Sequence, residues 1–373
     1  MNDEYKESEK ISWWARLNNS FFTLPLGITL VIIAIFLLHF NEGQIDLSVK
    51  AKESIEISPY KSLNLEKNNQ LASITGEIKS DEKLEDSYLH KGSYLAFSRS
   101  IEMYSWVEEK SIISETKVGG SENKTTTYVY SKRWRLNPKN SQTFKKKEGH
   151  QNPQVTIYPK KQSVEKASIH NYDFDAQNFS FTRLLKPLSL NGDMVKLRDD
   201  IQITEKYLFK GKGSLAKPEI GDIRISYHVA KSPIKNATIF GLVDIPKETL
   251  TLSKEKELKD VFLGSRADAL LFLHDEFSAN KQMTRIAGFL MMLVGVFMVL
   301  NPLAIFLDSI PILGTLGHVG VLILSLALSL LFSLLTIITS ILFHNIFLLL
   351  VFLSVVFYLM FFILKKDKSF FSK

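Results

Sequence analysis

The residues with the densest potential for acid–base chemistry are His274, Asp275 and Glu276, which follow one another in the chain. An imidazole beside two carboxylates could transfer protons or bind a metal ion. The eight histidines are otherwise scattered, and none has the HExxH spacing of a metal site. Local His–carboxylate clusters are common, whereas a site needs convergent geometry. We therefore predict no catalytic residue, no metal and no cofactor, and interpret these three residues as a turn at a domain boundary.

Other chemical signatures are missing from the sequence. The chain has no cysteine, which excludes thiolate catalysis, disulfides and Cys-ligated zinc or iron–sulfur sites. Gly211-Lys212-Gly213-Ser214 lacks the glycine spacing of a phosphate-binding loop, and no GxSxG nucleophile elbow occurs. A net charge of +7 is typical of membrane orientation signals and of contact with anionic lipid. We predict membrane lipid as a partner and no nucleic acid.

Four apolar blocks determine where the remaining residues can lie. Residues 21–40, 286–307, 319–343 and 346–364 contain no Lys or Arg, and each can cross a hydrocarbon core of about 30 Å as a helix. The first block is too long for a typical signal-peptide core, and no small-x-small cleavage site follows it. The sequence therefore predicts four transmembrane helices, one N-terminal and three C-terminal. Residues 278–285 contain no Gly or Pro, so we expect a helix to continue into the second span.

Basic residues near the ends of these blocks predict their orientation. Residues 365–373 carry four lysines, and residues 1–20 include Arg16, so the positive-inside rule places both termini in the cytoplasm. Residues 41–285 are then extracytoplasmic or lumenal. Lys281 and Arg285 oppose this orientation, and Asp308, at the end of the second span, is given no role.

The segment between the first and second spans is predicted to be one α+β domain dominated by antiparallel strands. Residues 94–107 alternate, with one apolar face made of Leu95, Phe97, Ile101, Met103 and Val107. Residues 125–136 are also β-prone, and residues 119–123 between them are rich in turn formers. A long β-hairpin is therefore expected. Residues 80–89 are charged and compatible with a helix.

A row of small hydroxyl residues lies in the third predicted span. Ser325, Ser329 and Ser333 recur every four residues and therefore share one helix face. Small hydroxyl side chains let helices approach closely, so we predict a helix-packing seam. A polar permeation path is the alternative, although the spans lack the buried charges that mark such paths.

Two further sets of residues could form contact surfaces. Nine basic residues, called here the basic set, have only Glu148 as an acidic neighbour in the sequence. They could dock on anionic headgroups or on an acidic partner, or they could keep a hairpin soluble. The members of the basic set are Lys132, Arg133, Arg135, Lys139, Lys145, Lys146, Lys147, Lys160 and Lys161. The other set, called here the polar-aromatic stripe, is a partner surface or a row of cross-strand contacts within the hairpin. It consists of Glu102, Tyr104, Trp106 and Glu108 on one strand face.

Several motifs, in order, resemble the transmembrane protein 43 family, also called LUMA. They are Arg99, Glu102, Tyr104, Trp106 and Glu108 within residues 91–109, the strand at 127–134, residues 218–226 with Gly221, Asp222 and Arg224, and residues 274–279. The one-plus-three arrangement of spans is similar too. The resemblance implies an organiser of membrane protein complexes that self-associates, in the endoplasmic reticulum or inner nuclear membrane for animal members. The chain departs from animal members in its lack of cysteine and its Lys- and Phe-rich tail, as expected of a bacterial relative in an inner membrane.

We therefore predict a non-enzymatic multi-pass membrane scaffold that forms a homo-oligomer and contacts other membrane proteins, with anionic lipid as a further contact. A membrane-embedded enzyme acting on lipid or envelope polymer through His274, Asp275 and Glu276 is the alternative. A channel subunit is a third hypothesis.

Overall fold

The computed structural model describes residues 3–57, 67–196, 200–252, 258–310 and 313–370, with only the backbone described for residues 313–316 and 359–370. The chain divides into two compact units. Unit 1 comprises residues 1–6, 46–111 and 126–275, and unit 2 comprises residues 7–45, 112–125 and 276–373.

α-Helices flank a long run of strands, as the sequence pattern indicates. The helices of the described residues are α1 (Trp13–Glu42), α2 (Leu47–Lys52), α3 (Arg266–Leu307), α4 (Leu313–His344) and α5 (Ile346–Phe370). The strands of the described residues are β1 (Asp3–Ile11), β2 (Ile55–Ile57), β3 (Leu71–Lys79), β4 (Tyr94–Thr116), β5 (Glu122–Arg135), β6 (Lys160–Ser163), β7 (Lys166–Ile169), β8 (Tyr172–Asp175), β9 (Lys186–Pro187), β10 (Gln202–Ile203), β11 (Leu208–Lys210), β12 (Ile223–Lys231), β13 (Ile234–Asp244), β14 (Thr249–Thr251) and β15 (Phe262–Leu263).

Two sheets contain these strands. The first has the order β1-β5-β4-β12-β11-β10, with β6 against β4 and β9 against β12. The second has the order β15-β13-β14-β8-β7-β3-β2, and β13 also pairs with β3. Five of its strands therefore form a closed ring of pairings, which leaves few open edges. Alternating apolar side chains build the core between elements, and all five residues of the apolar face predicted for residues 94–107 are buried.

The predicted β-hairpin is present and is longer than expected. Strand β4 continues to Thr116 and β5 begins at Glu122. Gly119 and Gly120 both have positive φ in the connecting turn, a conformation that glycine adopts without strain. Residues 80–89, in contrast, form no helix. The backbone there makes short bridges, including Leu84 with Gly92, and the Asp86 side chain is buried.

The four predicted spans lie within α1, α3, α4 and α5. Among the described residues, α1, α3 and α4 are long and apolar enough to cross a membrane, and Ile346–Tyr358, the part of α5 whose side chains are described, is also apolar. Helix α3 runs without interruption from Arg266 to Leu307, as the missing Gly and Pro in residues 278–285 predicted.

Two segments have features that the sequence pattern did not indicate. Residues 3–11 form strand β1, which the sequence did not reveal because the strand is polar on both faces and is held by pairing with β5. Residues 112–125, the tip of the hairpin, group with the helices of unit 2. The domain bounds of 41–285 stay a prediction. The residues nearest the tip carry few apolar side chains, so their placement depends on polar contacts.

Candidate functional site

The polar-aromatic stripe and the family motif around Arg224 form one network in unit 1. Strands β4 and β12 pair so that Glu102 lies opposite Arg224. The carboxylate of Glu102 accepts two hydrogen bonds from the guanidinium, at 2.6 and 3.0 Å. The Arg224 guanidinium lies 4.7 Å from the ring centres of both Trp134 and Tyr207. A bidentate ion pair between two aromatic rings holds a rigid geometry.

The Asp222 side chain stabilises the loop at residues 211–214, which lacks the glycine spacing of a phosphate-binding loop. Its carboxylate accepts backbone N–H groups from Lys212, Gly213 and Glu219 at 2.9, 3.2 and 2.7 Å. A carboxylate of the chain itself thus satisfies the amides that an anionic ligand would need. Gly221 has a φ of +98° next to it, which is the left-handed region that favours glycine. This part of the family motif therefore stabilises a turn.

Glu108 and Trp106, which form the other half of the polar-aromatic stripe, also make contacts within unit 1. The Glu108 carboxylate accepts the Tyr130 hydroxyl at 2.7 Å, and the Tyr130 ring stacks on His150 with centres 4.0 Å apart. Burial, together with the hydrogen bond to Glu108, raises the pKa of Tyr130 to about 12. Trp106 meets the His150 ring edge to face, and the Lys132 ammonium lies 4.7 Å from the Trp106 ring centre. The stripe is therefore a set of cross-strand contacts within unit 1.

Arg99 belongs to a buried charge cluster with Asp86 and Tyr227. Its guanidinium donates to the Asp86 carboxylate and to the backbone oxygen of Tyr158, and the Tyr227 hydroxyl donates to Asp86 at 2.6 Å. Burial alone would raise the pKa of Asp86, but the hydrogen bonds from Tyr227 and Arg99 and the Arg99 charge hold it below its ordinary value. Burial and the bond to Asp86 raise the pKa of Tyr227.

About half of the predicted basic set makes contacts inside unit 1. Arg133 pairs with Glu109 at 2.8 Å, Lys146 with Asp3 at 2.9 Å, and Lys160 approaches Asp86 at 3.6 Å. Lys145 is exposed, and its backbone N–H binds Glu108. The other members, which are exposed and form no ion pair within the described ranges, are together called here the basic surface. It consists of Arg135, Lys139, Lys147 and Lys161, with Leu136 and Tyr158 as exposed apolar neighbours in the sequence.

In unit 2, α1 and α3 run antiparallel and are tied together by charges near one end. Arg16, on α1, is 8% exposed. Its guanidinium pairs with Glu122 at 2.8 Å and with Asp308 at 2.9 Å. It also donates to the backbone oxygen of Gly120 at the hairpin tip. His318 on α4 lies 2.9 Å from the same Asp308 carboxylate. One buried arginine therefore links three segments that are far apart in the sequence.

A second charge cluster ties the opposite end of the same helix pair. The Glu42 side chain is fully buried and accepts two hydrogen bonds from Arg285, at 2.7 and 2.8 Å. Lys281 lies 3.1 Å from the same carboxylate. Arg16 and Glu42 are about 39 Å apart along the helix at ~1.5 Å per residue, close to the ~40–45 Å thickness of a bilayer with its headgroups. The spacing of the two clusters along α1 thus matches the thickness of a bilayer with its headgroups.

Between the clusters, α1 and α3 touch through glycine. A Cβ atom at Gly27 would lie 2.8 Å from the Gly295 carbonyl oxygen, and one at Gly295 would lie 2.9 Å from the Gly27 oxygen. Helix α4 packs against α1, and the Ser340 hydroxyl donates to the His39 oxygen. Ser325, Ser329 and Ser333 of the predicted seam are all buried, so their face of α4 is covered within the chain itself.

Replacing Gly27 by leucine is expected to lower the stability of unit 2 by roughly 1–3 kcal/mol or more, because a side chain there must push two helix backbones apart. Gly320→Leu on α4 is the matched control, since a Cβ at Gly320 would meet nothing within 4 Å. Thermal unfolding of both variants in lipid nanodiscs measures the difference. Equal melting temperatures for the two variants would contradict the close contact.

His274, Asp275 and Glu276 do not converge on a site. They occupy consecutive positions of α3, so their side chains leave the helix in different directions. The His274 ring lies 2.9 Å from the Asp46 carboxylate and is 58% exposed. Within the described residues, no group of three or more His, Asp or Glu side chains could hold a metal ion.

Sequence reasoning missed the two charge clusters of unit 2. It treated Arg16, Lys281 and Arg285 as orientation signals and gave no role to Asp308. A signal was present, since acidic residues at the ends of apolar blocks, such as Glu42 and Asp308, are expensive to place near lipid without a partner. The partners could not be identified from spacing alone.

Comparisons with known proteins agree on one family. A family model described as Transmembrane protein 43 matches residues 103–346. The human protein named Transmembrane protein 43 is 25% identical over 366 residues, which cover 91% of this chain and 89% of that protein. The mouse protein of the same name is 24% identical over 359 residues, with 88% and 86% covered. No solved structure matches the chain.

Proposed function

Since the chain belongs to the transmembrane protein 43 family, we propose that this integral membrane protein is a non-enzymatic scaffold that self-associates and organises membrane protein complexes. The proposal rests on the hydrogen bonds that three carboxylates of unit 1 accept. Glu102, Glu108 and Asp222 are each held by two or more fixed donors. A carboxylate with saturated hydrogen bonds is a poor acid or base but a good structural tie.

The proposed topology has four spans, with both termini on one side of the membrane. Three helices of sufficient length and the apolar segment Ile346–Tyr358 of α5 support this count.

The basic surface of unit 1 is the proposed contact with an acidic partner protein. Its four cations have no partner within the described part of the chain, and Leu136 and Tyr158 beside them in the sequence are 62% and 67% exposed. Interfaces are enriched in Arg and Tyr, and complementary charge speeds association. Anionic headgroups offer the same chemistry and are the second ligand to test.

The test is crosslinking in native membranes followed by capture of the protein in mild detergent. The variant Arg135→Glu/Lys139→Glu/Lys147→Glu reverses three cations of the basic surface. We expect it to lose discrete protein partners that the wild type retains, because like charges now face each other. Lys79→Glu/Lys83→Glu/Lys235→Glu, at other exposed positions of unit 1, is the matched control and should keep the partners.

Each outcome bears on a different part of the proposal. A wild type recovered as a monomer without protein partners would overturn the scaffold. If both variants keep the protein partners, the contact does not lie on the basic surface. Loss of binding to vesicles containing anionic lipid, with protein partners unchanged, would assign the surface to headgroups. The enzyme hypothesis gains no geometric support, since its three residues diverge on α3.

A further inference from the structure

A cavity of about 380 Å³ lies in unit 1, at the connection between the two sheets. Strand β12 of the first sheet ends at Lys231, and β13 of the second sheet begins at Ile234, so the short turn between them forms one wall. Residues of the segment 183–187 and Leu263 of β15 also line the cavity. Ligand pockets of roughly 300–1,000 Å³ are typical of proteins, so this space can hold a small molecule.

The interior of the cavity is apolar. Leu184, Val229 and Ala230 line it and are 8%, 2% and 1% exposed, so their buried side chains form its floor. Leu263, at the rim, is 59% exposed. A ligand that covers such apolar surface is stabilised because the surface is removed from water. The floor therefore favours a ligand with a hydrocarbon part.

The rim of the cavity carries two positive charges without a counter-charge. Lys186 and Lys231 are exposed lining residues, and neither side chain forms an ion pair or a hydrogen bond within the described ranges. Lys186 lies opposite Val229 in the pairing of β9 with β12, which places it next to the floor. Arg183, a third cation of the lining, already donates two hydrogen bonds to Asp260, at 3.0 and 2.9 Å. The two lysines therefore favour an anionic group at the rim.

The backbone at the rim disfavours a peptide strand as the ligand. Pro187 and Pro233 both line the cavity, and proline has no N–H to donate to an added strand. Strand β9 contains only Lys186 and Pro187. Strand addition depends on a row of backbone hydrogen bonds, which a two-residue strand with one proline cannot supply. Recognition at this cavity therefore depends on charge and apolar contact.

We propose that this cavity binds a long-chain fatty acid. The carboxylate lies at Lys186 and Lys231, and the acyl chain covers the floor formed by Leu184, Val229 and Ala230. Each lysine ammonium is a compact charge that pairs with a carboxylate, and each methylene removed from water strengthens binding about fourfold. The site shares no residue with the basic surface and goes beyond the proposed scaffold function.

The test uses the full-length protein in phosphatidylcholine nanodiscs and a palmitic acid probe with a photoreactive diazirine in its chain. After irradiation, peptic digestion and mass spectrometry locate the label. We expect it in peptides that contain residues 183–187 or 229–234, and unlabelled palmitate should displace the probe. Hexadecanol has the same chain length without the carboxylate and is the matched ligand control. It should displace the probe at least about tenfold less well.

Charge reversal tests the carboxylate contact. Lys186→Glu/Lys231→Glu is expected to lower labelling of the cavity peptides at least about tenfold, because two carboxylates then face the carboxylate of the ligand. Lys79→Glu/Lys83→Glu, at other exposed positions of unit 1, is the matched control and should leave the labelling unchanged. Circular dichroism confirms that each variant is folded.

An apolar-to-polar change tests the acyl-chain contact separately. Leu263→Asn is expected to lower labelling severalfold, because it removes apolar surface from the rim. Leu136→Asn is the matched control, since Leu136 has a similar exposure of 62% and does not line the cavity.

The outcomes that would overturn the proposal are distinct. Equal displacement by palmitate and hexadecanol would exclude recognition of the carboxylate. Label confined to peptides outside the cavity, or unchanged labelling of Lys186→Glu/Lys231→Glu, would exclude this site. Stronger displacement by lysophosphatidic acid than by palmitate would exclude a fatty acid as the ligand and would assign the cavity to a phosphate headgroup.

Discussion

Replacing Arg16 by methionine is expected to destabilise unit 2 by about 3–5 kcal/mol, because it leaves the buried carboxylate of Asp308 and the partly buried carboxylate of Glu122 without their cation. The Asp308 side chain is 1% exposed and that of Glu122 is 17% exposed. The methionine fills a similar volume, so the loss reports charge and not packing. Thermal unfolding of the purified protein in nanodiscs measures it, and limited proteolysis should show earlier cleavage near the hairpin tip.

The control and a rescue make this expectation specific. Arg133→Met removes an arginine from an ion pair whose side chains are both 52% exposed, and such pairs contribute less than about 1 kcal/mol. The triple variant Arg16→Met/Glu122→Gln/Asp308→Asn removes all three charges together and should regain most of the lost stability. A triple variant as unstable as Arg16→Met alone would show that the buried charges are not the cause.

Replacing Asp86 by alanine is expected to destabilise unit 1 by about 3–5 kcal/mol. Asp86 is the common acceptor for Arg99 and Tyr227, and its side chain is 1% exposed. Without it, the buried Arg99 guanidinium has no counter-charge, and the Tyr227 hydroxyl loses its acceptor. Glu85→Ala is the neighbouring control, since its exposed ion pair with Lys196 should contribute little. Equal melting temperatures for the two variants would contradict a structural role for the Asp86 cluster.

The same cluster predicts a pH dependence. The pKa of Asp86 is lower in the folded state than in the unfolded chain. Its stabilising contribution is therefore complete above the unfolded pKa of about 3.9 and is lost as the pH falls through the lowered folded value. Acid unfolding followed by tryptophan fluorescence should begin at a higher pH in Asp86→Ala than in the wild type. An unchanged acid midpoint would exclude this carboxylate as a contributor.

The sequence predicted the local elements well where one physical pattern dominates. Apolar blocks of about 20 residues predict helices because a bilayer sets their length, and in the structure those blocks lie in α1, α3, α4 and α5. The period-two pattern of residues 94–107 predicted β4 and its buried face because alternate side chains point to opposite sides of a strand. Strand β1 was missed because its polar residues give neither pattern.

The sequence by itself determined the apolar helices, the main hairpin, the family motifs and the absence of cysteine chemistry. Only the tertiary structure decided what the polar residues do. In the structure, the polar-aromatic stripe forms contacts within unit 1, the serine face of α4 is buried, and Arg16 pairs with Asp308. Periodicity reports whether a side chain meets water, lipid or a core, and that information is local. The partner of a charge depends on how distant helices and strands cross, which no local spacing encodes.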